Sequence, residues 1–223
     1  MSMKFFLSAI AKFTLGVVLI GVLLFLPAGT LHYPQGWLLM GILFIPMFLA
    51  GVVMMAKNPA LLRSRLNAKE KRGEQSLVVK LSGLMFLVGF IVAGLSFRFD
   101  WWMLPKWVSI LCAVLFLASY ALYAEVLREN TWLSRTIEVQ EGQTVVSTGL
   151  YGIVRHPMYA VTLVLFLSMP LVLRSALAFV VFLAYPAIIA GRLLDEERFL
   201  AAELPGYSEY MQKVKWRLIP FVW

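Results

Sequence analysis

The chain is organised by long apolar blocks rather than by alternation. "FTLGVVLIGVLLFLPA" (13–28) and "WLLMGILFIPMFLAGVVMMA" (37–56) contain no charged residue. A bilayer span needs about 20 predominantly apolar residues at 1.5 Å rise each. In lipid the backbone must satisfy its own polar groups, which leaves helices or a closed barrel. Nothing in these blocks has period two, so helices are predicted. Six spans follow, at 5–28, 37–56, 80–97, 106–127, 158–173 and 175–194. Leu173 to Ser175 alone connect the last two, which predicts a tight antiparallel hairpin, with Pro170 and Pro186 as kink points. Lys4 before the first block resembles a signal-peptide start. However, "LPA" before Gly29 is a poor cleavage site, so the block is expected to stay as the first span.

The fold class predicted is an all-α integral membrane protein of about six transmembrane helices, with a cytosolic C-terminal region. It divides into a four-span region, 1–127, with a connector at 57–80, and a C-terminal region, 128–223. Composition agrees: 61% of residues are hydrophobic and 14% charged, against about 25% charged in soluble domains. Lys and Arg gather in 57–80 (Lys57, Arg63, Arg65, Lys69, Lys71, Arg72, Lys80), in 128–155 (Arg128, Arg135, Arg155) and after 192 (Arg192, Arg198, Lys213, Lys215, Arg217). The other side has Arg98, Lys106 and Arg174. The positive-inside rule then places both termini and both polar segments in the cytosol. In a bacterial host the membrane would be the inner one.

The net charge of +8 reads as topology and as attraction to anionic lipid. It does not read as nucleic-acid binding, because the basic residues sit at helix ends. Cys112 stands alone, so no disulfide forms within the chain. With only His32 and His156 present, a histidine-rich metal site is excluded. Trp101 and Trp102 read as an outer aromatic belt, and 58–76 as an amphipathic connector.

The longest polar stretch runs from 129 to 159. Within it "TIEVQ" and "TVV" alternate like short strands around "EGQ", a candidate hairpin. After residue 191, Leu193, Leu194, Phe199 and Leu200 can share one helix face. Pro205 and Gly206 end that helix. A shorter interfacial helix is predicted through "YSEYMQKVKW", with Trp216 and Trp223 as membrane-surface anchors.

The combination "TGLY…VRHPMY", an apolar hairpin, "R…EE..L", "GY..Y" and a terminal "RLIPFVW" resembles the isoprenylcysteine carboxyl methyltransferase family and its bacterial relatives. The resemblance covers about the last ninety-five residues. The first four spans match in hydropathy and length only. Leu150 and Gly152 depart from the commoner family residues at those positions. The resemblance implies an integral membrane enzyme using S-adenosylmethionine. It also implies that Gln140, Gln143, Thr144, Val145, Val146, Tyr151, His156, Pro157, Met158 and Tyr159 line the cofactor site, with residues 143–146 acting through backbone groups. Glu196 would also hold the cofactor, and Arg192 the substrate. Membrane sterol reductases have a similar C-terminal half and use a nicotinamide cofactor.

Two readings of Arg155 and His156 stand side by side. One is a topology anchor with Pro157 at the first helical position. The other is a helix N-terminus that presents free N–H groups and partial positive charge to a nucleoside cofactor. Arg192 and Glu196, one helical turn apart, read as an i,i+4 ion pair of about 0.3–0.5 kcal/mol or as a working pair at the membrane boundary. In the second reading the planar Arg192 fork takes a substrate carboxylate, and Glu196 takes the amino group of the cofactor. Both are the candidate catalytic residues. Glu197 reads as a supporting or solvated charge.

The function expected is methyl transfer from S-adenosylmethionine to a lipophilic acceptor, with a carboxylate favoured. The alternatives are a nicotinamide-dependent lipid reductase, a phospholipid-amine or thiol methyltransferase, and a non-enzymatic membrane binding protein. Expected partners are a lipophilic or lipidated substrate and membrane lipid, with no nucleic acid and no obligate protein partner.

Overall fold

The computed structural model describes residues 3–66, 73–134 and 137–223. Lys69, Lys71 and Arg72 of the connector, and Arg135 and Thr136, lie outside the described residues. Among the described residues, nine α-helices follow in order: α1 (Met3–Ala28), α2 (Pro34–Lys57), α3 (Pro59–Leu66), α4 (Gly73–Phe99), α5 (Lys106–Glu129), α6 (Pro157–Val172), α7 (Ala176–Phe182), α8 (Ala184–Glu203) and α9 (Tyr207–Lys213).

Five helical segments among the described residues are long and apolar enough to cross a membrane: Phe5–Ala28, Pro34–Lys57, Ser76–Phe99, Lys106–Glu129 and Ala176–Glu203. The remaining expected span, 158–173, is α6, which has 16 residues. That is roughly 24 Å of helix, less than the roughly 30 Å hydrocarbon core. Ala176–Glu203 is interrupted at Leu183, between α7 and α8. Pro186 explains the break: it has no N–H to give, and its ring crowds the carbonyl of Phe182 four residues back. The connector also differs from expectation. It starts with the short helix α3, and α4 begins at Gly73, well before the expected start of the third span at 80. Lys12 Nζ of α1 donates to the carbonyl of Leu66 at 3.0 Å, tying the end of α3 to the bundle.

The core is built around α4, α6 and α7, where aromatic edges meet faces. Phe86 meets Phe166 at 4.9 Å and Phe182 at 5.3 Å between centroids, and Phe166 meets Tyr185 at 4.9 Å. Such pairs add about 0.5–1.5 kcal/mol beyond the area they bury. Outside this core, large apolar side chains such as Leu15, Leu26, Ile45, Trp107 and Ile110 are exposed, as expected where lipid replaces water as the solvent.

The turn between α6 and α7 is held by polar contacts. Ser109 Oγ donates to Val172 O at 2.6 Å and Tyr33 Oη to Leu173 O at 2.9 Å. Ser175 Oγ donates to Ser96 Oγ at 2.9 Å and accepts the Ala178 N–H, capping α7. These contacts fix the C-terminal end of α6. The candidate site lies at its other end.

Candidate functional site

α6 begins where the sequence predicts, with Pro157 as its first residue and His156 as its N-cap. The residue before it behaves differently from a topology anchor. Arg155 is buried, and Nε donates to Glu197 Oε1 at 2.6 Å. Nη1 donates to the carbonyls of Val214 at 2.8 Å and Lys215 at 3.0 Å. The backbone continues the same join: Arg155 N–H to Trp216 O at 2.8 Å, and His156 N–H to Arg217 O at 2.9 Å. Arg155 therefore straps the chain after α9 across the start of α6.

Glu197 is the centre of this arrangement. It is buried and meets Arg155, His156 Nε2 at 3.2 Å and Arg217 Nε at 2.8 Å. It is thus a compensated structural carboxylate rather than a solvated one. A buried ion needs such compensation, since the effective penalty is several kcal/mol per uncompensated charge. The strap also repositions Trp223. Instead of serving only as a surface anchor, Trp223 packs against the main core, with the Arg217 guanidinium 5.4 Å from its ring centre.

On the next turn of α8, toward the cavity, Arg192 Nε donates to Tyr159 Oη at 3.0 Å. The same hydroxyl donates to Glu196 Oε2. The i,i+4 pair expected from the sequence is therefore joined through a tyrosine from α6. His156 stacks on Tyr159 with centroids 5.7 Å apart and planes 24° apart.

A partly open cavity lies beside these groups. Of the expected site residues, Gln143, Thr144, Val145 and Val146 line it from the loop, Tyr151, His156, Met158 and Tyr159 from the approach to α6, and Arg192 and Glu196 from α8. Gln140 and Pro157 do not. Gln140 Nε2 donates to Trp132 O at 2.7 Å, and its N–H is taken by Gln143 Oε1 at 2.9 Å, so it shapes the loop. Pro157 is buried as the first residue of α6.

The described residues of the expected β-hairpin, from Ile137 on, do not pair as strands. Gln143 N–H does reach Gln140 O at 3.0 Å, closing a turn in which Gly142 adopts φ +73°. The arms then diverge, because their apolar side chains have other partners. Val139 and Val145 pack against Leu204, Tyr207, Tyr210 and Val214, and Val146 against Val126, Tyr151 and Val161. Burial against helices replaces pairing with each other, as β-patterned segments allow.

Trp132, Tyr207, Tyr210 and the buried Arg155 also line the cavity, although none of them is among the residues expected to hold cofactor or substrate. Gly206 is the N-cap of α9, and its φ of +83° lets the chain reverse after α8 at no Cβ cost. Tyr210 Oη donates to Tyr151 O at 2.7 Å, joining α9 to the loop before α6. Burial pushes the phenols of Tyr207 and Tyr210 well above the ordinary tyrosine value, and the nearby carboxylates of Glu197 and Glu196 push Tyr207 further. The "GY..Y" spacing, one helical turn, was the signal available for this pair.

Residues 107–202, which carry α5 to most of α8, match the family described as isoprenylcysteine carboxyl methyltransferase (ICMT) family. This part of the chain, less than half of its length, is similar to that family. The chain is also 33% identical over 132 residues to the cobalt-zinc-cadmium resistance protein CzcN of Cupriavidus metallidurans, covering 57% of each chain. It is 32% identical over 91 residues to a delta(14)-sterol reductase of Mus musculus, covering 40% of this chain and 22% of that protein. The chain thus aligns with 57% and 22% of these relatives' own lengths. The ICMT-family segment contains the Arg155–Glu197 join and the Arg192–Tyr159–Glu196 series, while α9 and the strap lie beyond it.

Proposed function

We propose that the protein is a membrane methyltransferase that moves a methyl group from S-adenosylmethionine to a lipophilic carboxylate. The observation that carries this reading is the Arg192–Tyr159–Glu196 series on the wall of the cavity, within the family segment. The cavity is lined by aromatic and charged side chains together. Its chemistry suits such a donor. Aromatic faces from Tyr151, Tyr159 and His156 suit adenine, and Glu196 suits a cationic amine.

When bound, the donor supplies an electrophilic methyl on a sulfonium. Glu196 holds the ammonium of its amino-acid end. The first turn of α6 offers the N–H groups of Met158 and Tyr159, which have no acceptor within the helix. Arg192 receives the acceptor carboxylate on its planar fork. That carboxylate is already ionised at neutral pH, so no general base is required. Tyr159 holds Arg192 and Glu196 in one register and so fixes acceptor and donor relative to each other. Catalysis is then alignment and exclusion of water.

The charge asymmetry supports a cytosolic cavity with both termini on the same side. The acceptor would arrive from the bilayer. A second reading, reduction of a lipid double bond with a nicotinamide cofactor, is favoured by the sterol reductase alignment. Binding of labelled S-adenosylmethionine and of NADPH to detergent-purified protein separates the two. Saturable binding of the methyl donor alone is expected. Binding of NADPH alone would replace the first reading with the second.

A further inference from the structure

Tyr207 opens α9 and lines the cavity, yet it has no task in the scheme above. The residue is 4% exposed, and its hydroxyl is covered without a hydrogen-bond partner among the described residues. Tyr210, one turn further on, donates to Tyr151 O, so the lack is not a property of the helix. Leaving a buried hydroxyl unpaired is destabilising, and native proteins pair the large majority of such groups. On a cavity wall, the missing partner can arrive with the occupant.

The neighbouring charges indicate which end of the occupant that is. Glu197 and Glu196 exert the main fields at Tyr207, with Arg155 opposing them. Glu197 is already engaged by Arg155, His156 and Arg217. Glu196 lies on the cavity wall, where Tyr159 is its hydroxyl partner. The phenol of Tyr207 stays protonated across the physiological range. It therefore offers a neutral hydroxyl next to the carboxylate assigned to an ammonium.

We propose that Tyr207 is a ligand-binding residue whose hydroxyl pairs with the amino-acid end of the methyl donor, beside Glu196. The inference rests on the methyl-transfer reading. Because the hydroxyl is covered in the ligand-free cavity, it reaches its partner by a swing of the ring, and side-chain rotamer changes on binding are common. Tyr207 lies beyond the family segment that ends at residue 202, so the role belongs to the C-terminal tail of this chain.

The test uses Tyr207→Phe, which removes the hydroxyl and keeps the ring. Affinities for S-adenosylhomocysteine and 5′-methylthioadenosine are measured by competition on full-length protein in detergent. The two share the adenosine and thioether, and only the first has the amino-acid end. Tyr207→Phe should weaken S-adenosylhomocysteine by about tenfold, the scale of one hydrogen bond, and leave methylthioadenosine unchanged. The ligand-free variant should melt no lower than the parent. Unchanged affinity for S-adenosylhomocysteine, or an equal loss for both ligands, overturns the inference and leaves the methyl-transfer reading intact. Wild-type protein that binds neither ligand overturns both.

Discussion

The guanidinium of Arg155 lies 2.6 Å from the carboxylate of Glu197, and both side chains are almost fully buried. This contact joins residues 42 positions apart. It locks the start of α6 to α8, and Arg155 also holds the strap that follows α9. Arg217 meets the same carboxylate but is 30% exposed. The site is therefore assembled by a buried charge cluster and not by the apolar bundle alone.

Breaking that cluster on one side should destabilise the protein. Arg155→Leu leaves Glu197 without its shortest ion pair, which is buried on both sides, and the loss expected is about 3–5 kcal/mol. Arg217→Ala should cost less, since solvent partly screens that contact. Thermal melting in detergent checks the order. An Arg155→Leu protein as stable as the parent would refute the structural role.

The two sides of the cavity should fail differently. Arg192→Ala should keep affinity for S-adenosylmethionine and lose turnover by roughly ten- to a hundredfold, the scale of one charge-assisted bond. Arg192→Lys should recover little, because an ammonium lacks the two-pronged geometry. Glu196→Gln should instead weaken donor binding. Donor affinity and methyl transfer measured on the same preparations decide this. Near-normal transfer by both Arg192→Ala and Glu196→Gln would leave the pair structural.

Tyr159→Phe removes the hydroxyl between Arg192 and Glu196 and keeps the ring that stacks on His156. It should lower turnover at saturating donor and acceptor more than it lowers donor affinity. A pure affinity effect would place Tyr159 on the donor side only.

Alkaline stability should report on α9. Tyr207 and Tyr210 are held above the ordinary tyrosine value in the folded protein, while in the unfolded chain they titrate near 10. Above about that pH the unfolded state releases protons that the folded state retains, so stability is lost as pH rises. Below it, this contribution is fully present. Tyr207→Phe should flatten the fall in melting temperature above about pH 10, and an unchanged slope would count against the burial of this phenol.

Sidedness can be tested with exposed positions in a Cys112→Ser background. Cys112 and Ser175 are buried, so Ser175 is a poor reporter of its side. Glu141 and Ser208 are exposed at the cavity end, and Asp100 is exposed near the α6–α7 turn. Glu141→Cys and Ser208→Cys should react with an impermeant thiol reagent from one face, and Asp100→Cys from the other. Reaction of all three from the same face would break the topology.

Local signals in the sequence determined the helices. Length and apolarity set α1, α2, α4 and α5, because a span needs only its own backbone bonds and an apolar surface. Pro157 marked a helix start and Gly206 a helix end through φ values that their covalent structure favours or permits. The Arg192–Glu196 spacing was equally local, since i and i+4 share a helix face. Tertiary structure decided the rest. Alternation in 137–146 signals buried positions but not what covers them, and the helices around the loop cover them instead of a second strand. No spacing rule brings Tyr159 between Arg192 and Glu196, buries Arg155 against Glu197 and the 214–217 strap, or leaves the Tyr207 hydroxyl unpaired beside the cavity. Those relations depend on contacts between elements far apart in sequence, and burial gives each of them its energy.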